Sequence, residues 1–327
     1  MKCEKNFEKF LKNISLGETR IGRIESAVKE LNEFADSDKG DKTERGIADV
    51  LIEKYIQGSY ATKTGNRPGN DDEEFDVDVA LNMRLEDDMF KKSSAVLSWL
   101  KRRLLKNPNY KDRLDVPCDR CVRISYKNDF HLDVVPLKPS VKAGIFLISD
   151  KTEGWNETNP KGMTEWFNRE NARCEGRLYR VIKYLKWWRS AVAPEKADIT
   201  SILFTVLLTN HANPKDSDAE MVVETMESLE EWLVGQAVVP EIKNPSLVSE
   251  NLARNWTKVE FDAFKKSFST ATKNARAALD KVAYATSLEL WQKVFGSQFE
   301  DLDGGDDKAG IYVPPQSPGR KSSREFA

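Results

Sequence analysis

Apolar residues recur at helical spacing over residues 7–35, at Phe7, Phe10, Leu11 and Ile14 and then at Ile21, Ile24, Val28 and Leu31. A polar stretch bearing glycine and aspartate, residues 36–41, interrupts the pattern. Short β-type segments follow at 53–57, 75–81, 122–126 and 131–137, the first ending at Gly58-Ser59. Between them, residues 94–105 read as a helix that turns Val96, Leu97, Leu100 and Leu104 inward. From about residue 162 the stripes are helical only. One runs through Leu178, Val181, Ile182, Leu185 and Trp188, a second through Phe261, Phe264 and Phe268, and Ala275, Leu279, Val282 and Ala283 open a third. Strands with interspersed helices followed by helices alone predict an α+β protein of two lobes with a cleft between them. The expected boundaries are a mixed-sheet lobe at 1–160, first helix included, a helical lobe at 161–303, and a tail at 304–327. The tail has three prolines, four glycines and few large apolar residues, too little to offset the entropy of ordering, and reads as disordered.

Composition narrows the class. The 327 residues carry 51 Lys+Arg against 53 Asp+Glu, a net charge of -2, which disfavours nucleic acid as a required partner. The chain has no apolar run of membrane-spanning length and its polar N-terminus lacks a signal-peptide core, so a soluble, cytoplasmic protein is expected. Cys3, Cys118, Cys121 and Cys174 are too few for a disulfide scaffold, and the C-x-x-C at 118–121 lacks a second ligand pair of zinc spacing. All four are expected reduced and non-catalytic. Residues 91–142 hold thirteen Lys+Arg against five Asp+Glu, which reads as solvated surface.

The chemistry concentrates around DDEEFDVD, six carboxylates in the eight residues 71–78. Asp71, Asp72 and Glu73 suit a solvated acidic loop. Asp76 and Asp78 do not, because Phe75, Val77 and Val79 alternate with them as strand residues bound for a core. Glu74, Asp76 and Asp78 then share a strand face, where carboxylates repel unless cations sit among them. Asp133, inside the alternating segment 131–137, adds a third carboxylate set among apolar neighbours. Such an oxygen cage suits Mg²⁺, and two ions about 3.5–4 Å apart divide the work of phosphoryl transfer. Gly58 lets backbone approach a phosphate, and the Ser59 hydroxyl is a phosphate donor.

The set Gly58-Ser59, Asp76-x-Asp78 and Asp133 resembles the polymerase-β-type nucleotidyltransferase superfamily. Segments 155–167, 181–188, 244–252 and 291–299 look like the bacterial cGAS/DncV-like nucleotidyltransferases (CD-NTases), the likeness spanning about residues 45–300. It implies a polymerase-β-like lobe packed on a helical lobe, and a Mg-dependent enzyme that uses ATP, alone or with other NTPs. The implied product is a cyclic di- or trinucleotide messenger of anti-phage (CBASS) defence. Asp76, Asp78 and Asp133 become the metal ligands for two Mg²⁺ ions, with Asp133 helping to activate the attacking hydroxyl. Gln57, Gly58 and Ser59 become triphosphate contacts, as do Lys186 in Leu185-Lys186-Trp187-Trp188 and Ser201 at the start of the next helix. Relatives often carry an aromatic after that serine, where this chain has Ile202, so base recognition is not transferred.

An RNA-terminal nucleotidyltransferase and a non-enzymatic nucleotide-binding scaffold are the alternatives. The near-neutral charge disfavours the first, and the complete carboxylate set the second. His131 shares a strand face with Asp133, as a structural neighbour, a hydrogen-bond partner or a general base. His211 is read as structural. Trp187 and Trp188, adjacent on one helix, are read as unable to face the core together. The tail is either an inert extension or, as in some relatives, a segment through which a ubiquitin-transfer-like partner joins the C-terminal Ala327 to a target.

Overall fold

The computed structural model describes residues 1–69, 74–86, 90–114, 118–127, 129–194 and 198–302. The chain divides into two compact units, one of Leu16–Glu165, the other of Met1–Ser15 with the chain from Trp166 onward. Among the described residues no helix is long and apolar enough to cross a membrane.

The first helix, α1 (Glu4–Ile14), corrects an expectation, because it belongs to the helical unit and not to the sheet-bearing one. Phe7 and Phe10 explain why. The Phe7 ring meets Tyr184 edge-on at 5.2 Å and Trp291 at 5.0 Å, and Phe10 packs on Phe295 at 4.8 Å. The Tyr184 hydroxyl also donates to the Phe7 carbonyl at 3.2 Å. Burying two Phe side chains, worth roughly 1.5–3 kcal/mol each, outweighs nearness in sequence.

The sheet-bearing unit starts with α2 (Glu18–Ser37) and the short turn α3 (Ile47–Val50). Strand β1 (Leu51–Gln57) runs directly into a single helical turn, α4 (Gly58–Ala61). Then come β2 (Phe75–Met83), α5 (Ser93–Leu104), β3 (Val122–Tyr126) and β4 (Phe130–Pro139). Two further strands, β5 (Phe146–Asp150) and β6 (Gly154–Thr158), extend the sheet beyond what alternation alone predicts. The strand order is β1-β2-β4-β5-β6, with β3 also paired to β4. Only β2 and β4 run parallel, so the sheet is mixed as expected. One sheet face, with Val77, Val79, Leu132 and Val134, packs on Ile24, Val28 and Leu31 of α2 and Val96, Leu97 and Leu100 of α5.

The helical unit contains α7 (Leu178–Trp187), α8 (Ser201–His211), α9 (Asp218–Val234), α10 (Lys258–Asp280) and α11 (Tyr284–Phe295). The unit boundary falls within α6 (Pro160–Arg173). A two-stranded sheet, β7 (Lys243–Asn244) and β8 (Leu247–Asn251), interrupts the helices. Phe261, Phe264, Phe268 and Ala275 form one continuous buried stripe along α10, while Val282 is exposed, so the expected third helix is the end of the second.

Trp187 and Trp188 are both buried, against expectation. Trp187 Nε1 donates to the Phe295 carbonyl at 3.1 Å, and the Trp188 ring packs on Phe268 at 5.5 Å. Helix α7 is enclosed nearly all round, so opposite faces each meet a core.

The tail at 304–327, residue 303 before it, and the acidic residues Asp71, Asp72 and Glu73 lie outside the described residues. The basic excess over 91–142 is partly neutralised internally, since Arg102, Arg103, Arg120 and Arg123 each pair with a carboxylate.

Candidate active site

Strand register builds the site. Asp78 is the partner of Gln57 on β1 and of Asp133 on β4. Asp76 pairs with His131, while β3 sets Arg123 opposite Asp133 and Ser125 opposite His131. Register partners share a face, so these polar residues gather on the side away from the α2–α5 core.

Asp76, His131 and Asp133 each place one ligand atom within 4.8 Å of the others. His131 Nε2 lies 2.7 Å from Asp76 Oδ1, yet neither buried atom has a hydrogen-bond partner. The contact is a short electrostatic one, out of line for an N–H···O bond. His131 Nδ1 lies 3.3 Å from Glu74 Oε2. Burial works against the charged imidazole, but Asp76 outweighs it and His131 is raised above its ordinary value.

Asp133 is held from the other strand. Arg123 Nε donates to Oδ1 at 2.8 Å and Nη2 to Oδ2 at 2.7 Å. Burial raises the Asp133 carboxyl, the Arg123 bonds oppose that, and the Asp76 charge adds to it. Arg123, and the contact of His131 with Asp76, are what sequence reasoning missed. A signal existed, because two alternating segments only a few residues apart in sequence favour an antiparallel pair, and the register sets Arg123 opposite Asp133.

Asp78 stands apart from the cluster, with its Oδ2 against Gly58. Gly58 has φ 68°, a left-handed conformation that suits glycine, and a Cβ there would collide with Asp78. Gln57 ends β1, and its buried Oε1 lacks a hydrogen-bond partner. Ser59 begins the turn after Gly58, and its carbonyl accepts from Thr64 N at 2.9 Å. In the helical unit, burial pushes Lys186 down to about 7, with Arg189 and Lys183 adding repulsion, and burial takes Lys183 to about 8. Ser201 opens α8 and accepts from Arg189 Nη1 at 3.0 Å. His211 is structural as expected, with Nδ1 at 3.0 Å from Ser228 Oγ and its ring tilted on Trp232 at 5.6 Å.

The donor set fits a hard divalent cation. Carboxylate oxygens dominate, and Asp76 Oδ1, which makes no hydrogen bond, lies in the cluster with His131 and Asp133. Cys118 and Cys121 also approach Asp133, but they form a disulfide with Cα atoms 5.5 Å apart. That corrects the expectation of four reduced cysteines: the short C-x-x-C loop brings the pair within bonding distance, while Cys3 and Cys174 are free and buried.

The mixed sheet sets carboxylates side by side on neighbouring strands, with the Gly58-Ser59 turn against Asp78, the arrangement expected of a nucleotidyltransferase. Residues 1–171 match the family model for the second messenger oligonucleotide or dinucleotide synthetase domain. The chain belongs to that family, and it is a nucleotidyltransferase making a nucleotide second messenger. It is 26% identical over 308 residues to a cyclic AMP-AMP-AMP synthase of Acinetobacter sp., covering 91% of this chain and 86% of that one. It is 28% identical over 284 residues to a c-di-GMP synthase of Roseivirga ehrenbergii, covering 77% and 73%. The fold is that of CdnC from E. coli, solved in complex with HORMA-deltaN, with TM-score 0.71, 18% identity and 91% and 98% of the two chains covered. It is also that of CdnG from Bradyrhizobium diazoefficiens, solved with GTP, with TM-score 0.71, 17% identity and coverage of 90% and 94%.

Proposed function

We propose that this enzyme joins NTPs, ATP among them, into a cyclic di- or trinucleotide, releasing pyrophosphate, and serves anti-phage (CBASS) defence in the cytoplasm. The observation that carries the reading is the cluster of Asp76 and Asp133 around His131, with Asp78 in register beside Asp133. Asp76, Asp78 and Asp133 would hold two Mg²⁺ ions. Bound there, the ions supply the positive charge that activates a ribose hydroxyl and neutralises the leaving pyrophosphate. Asp133 orients the attacking hydroxyl, and Gln57, Gly58 and Ser59 hold the triphosphate beside Asp78. Lys186 and Ser201, in the helical unit, are the phosphate contacts that the resemblance implies there, supplying charge and a hydroxyl. The domain reading that accompanies this is a catalytic lobe ending near residue 160, a helical lobe from 161 to 303 that α1 joins, and a tail from 304.

The test is incubation with labelled NTPs and Mg²⁺, followed by phosphatase digestion and mass spectrometry. A phosphatase-resistant cyclic product is expected, whereas only linear, phosphatase-sensitive product would overturn the cyclase reading. For the tail, we propose attachment through Ala327 by a ubiquitin-transfer-like partner. Deleting residues 312–327 should abolish covalent adducts on co-expression with neighbouring genes and leave basal synthesis intact. Adducts that persist without the tail would remove that proposal.

A further inference from the structure

We propose that Arg123 is the positioning residue of Asp133: its guanidinium fork aims the carboxylate and thereby sets the affinity of the site for a divalent cation. This rests on the metal reading of the Asp76–Asp133 cluster. Arg123 sits directly opposite Asp133 in the β3–β4 ladder, so the side chains meet without a long reach. The fork is bidentate, at 2.8 and 2.7 Å, and the side chains are only 16% and 4% exposed. A carboxylate offers about four lone-pair sites, and the fork takes two of them. An Asp133 oxygen still lies within 4.8 Å of ligand atoms from Asp76 and His131, so the remaining lone pairs are available to a cation there. His131 makes its short contact with Asp76, at 2.7 Å, leaving the aim of Asp133 to Arg123.

Two effects of losing Arg123 have opposite signs. Removing a positive charge beside a cation site would tighten metal binding. Releasing the carboxylate to rotate would weaken it, by about 10–100-fold where such outer partners have been removed. The proposal commits to the second, because a planar fork fixes both oxygens and a point charge does not.

The deciding experiment titrates Mn²⁺ alone into the purified full chain and reads the free ion by electron paramagnetic resonance, for wild type, D76N, R123Q and R123K. Melting without metal reports whether each variant folds. R123K keeps the charge but not the fork, and it decides the matter even if R123Q does not fold. A loss of Mn²⁺ affinity of about 10–100-fold in R123K supports the positioning role. Unchanged or tighter binding in R123K overturns it. Undiminished Mn²⁺ binding by D76N overturns the metal reading itself, which separates the two failures.

Discussion

The carboxylate of Asp78 occupies the space that a side chain on Gly58 would need, and Gly58 holds a left-handed φ of 68°. The end of β1 and the middle of β2 are therefore locked to each other through the absence of one atom. Gly58→Ala is expected to cost about 1–2 kcal/mol from the left-handed backbone alone. The collision is with the tip of a short side chain, so it is relieved by turning Asp78 aside rather than by unfolding. Turnover should fall about a hundredfold, more than the loss of stability explains. Steady-state synthesis measured beside thermal melting checks this, and a wild-type rate in the alanine variant would falsify the constraint.

Asp76 and Asp133 carry similar charges but different attachments. Asp133→Asn takes the carboxylate from the half-buried Arg123 guanidinium and should destabilise the metal-free protein by about 1–3 kcal/mol. Asp76 is about a third exposed and meets His131 out of line, so Asp76→Asn should cost far less. Both variants should be inactive. Urea denaturation without metal distinguishes them, and equal midpoints would contradict the assigned partners. Simple repulsion among the carboxylates, the expectation from sequence, would make both changes stabilising.

Lys186 gives a pH signature. Burial holds it at about 7, below the ordinary 10.5, so the folded chain binds fewer protons than the unfolded one between those values. Stability from this group therefore rises with pH across that window, and Lys186→Met should remove the rise. If Lys186 meets a triphosphate, the anion draws the proton back. Binding of a non-hydrolysable ATP analogue at pH 8 should take up about one proton. Calorimetry in buffers of different ionisation heat reads this directly, and absence of uptake would return Lys186 to a packing role.

Asp38 and Arg103 are the most buried ion pair of the sheet-bearing unit, at 5% and 0% side-chain exposure. Arg103 Nε donates to Asp38 Oδ2 at 2.8 Å, and the same oxygen accepts from Ile47 N at 2.8 Å. The pair ties the chain just after α2 to α5. Arg103→Met is expected to cost about 3–5 kcal/mol, since it strands a buried carboxylate. Chemical denaturation measures it, and a loss under about 1 kcal/mol would show that the site relaxes to admit water.

Alternation of apolar and charged residues was enough to place Asp76, Asp78 and Asp133 on strands, because a strand with a buried face leaves its other face only one periodicity. The stripe in α7 likewise followed from spacing alone. Spacing could not say which side of a helix meets solvent. Trp187 and Trp188 are both enclosed because neighbours distant in sequence cover opposite faces of α7. Nor could it say that Phe7 and Phe10 would leave the strands that follow them for Tyr184, Trp291 and Phe295. The site divides the same way. Its carboxylates are local facts of the chain, while the side chains set against them, Arg123 and His131, act through cross-strand register and burial. Those exist only once β2, β3 and β4 lie side by side.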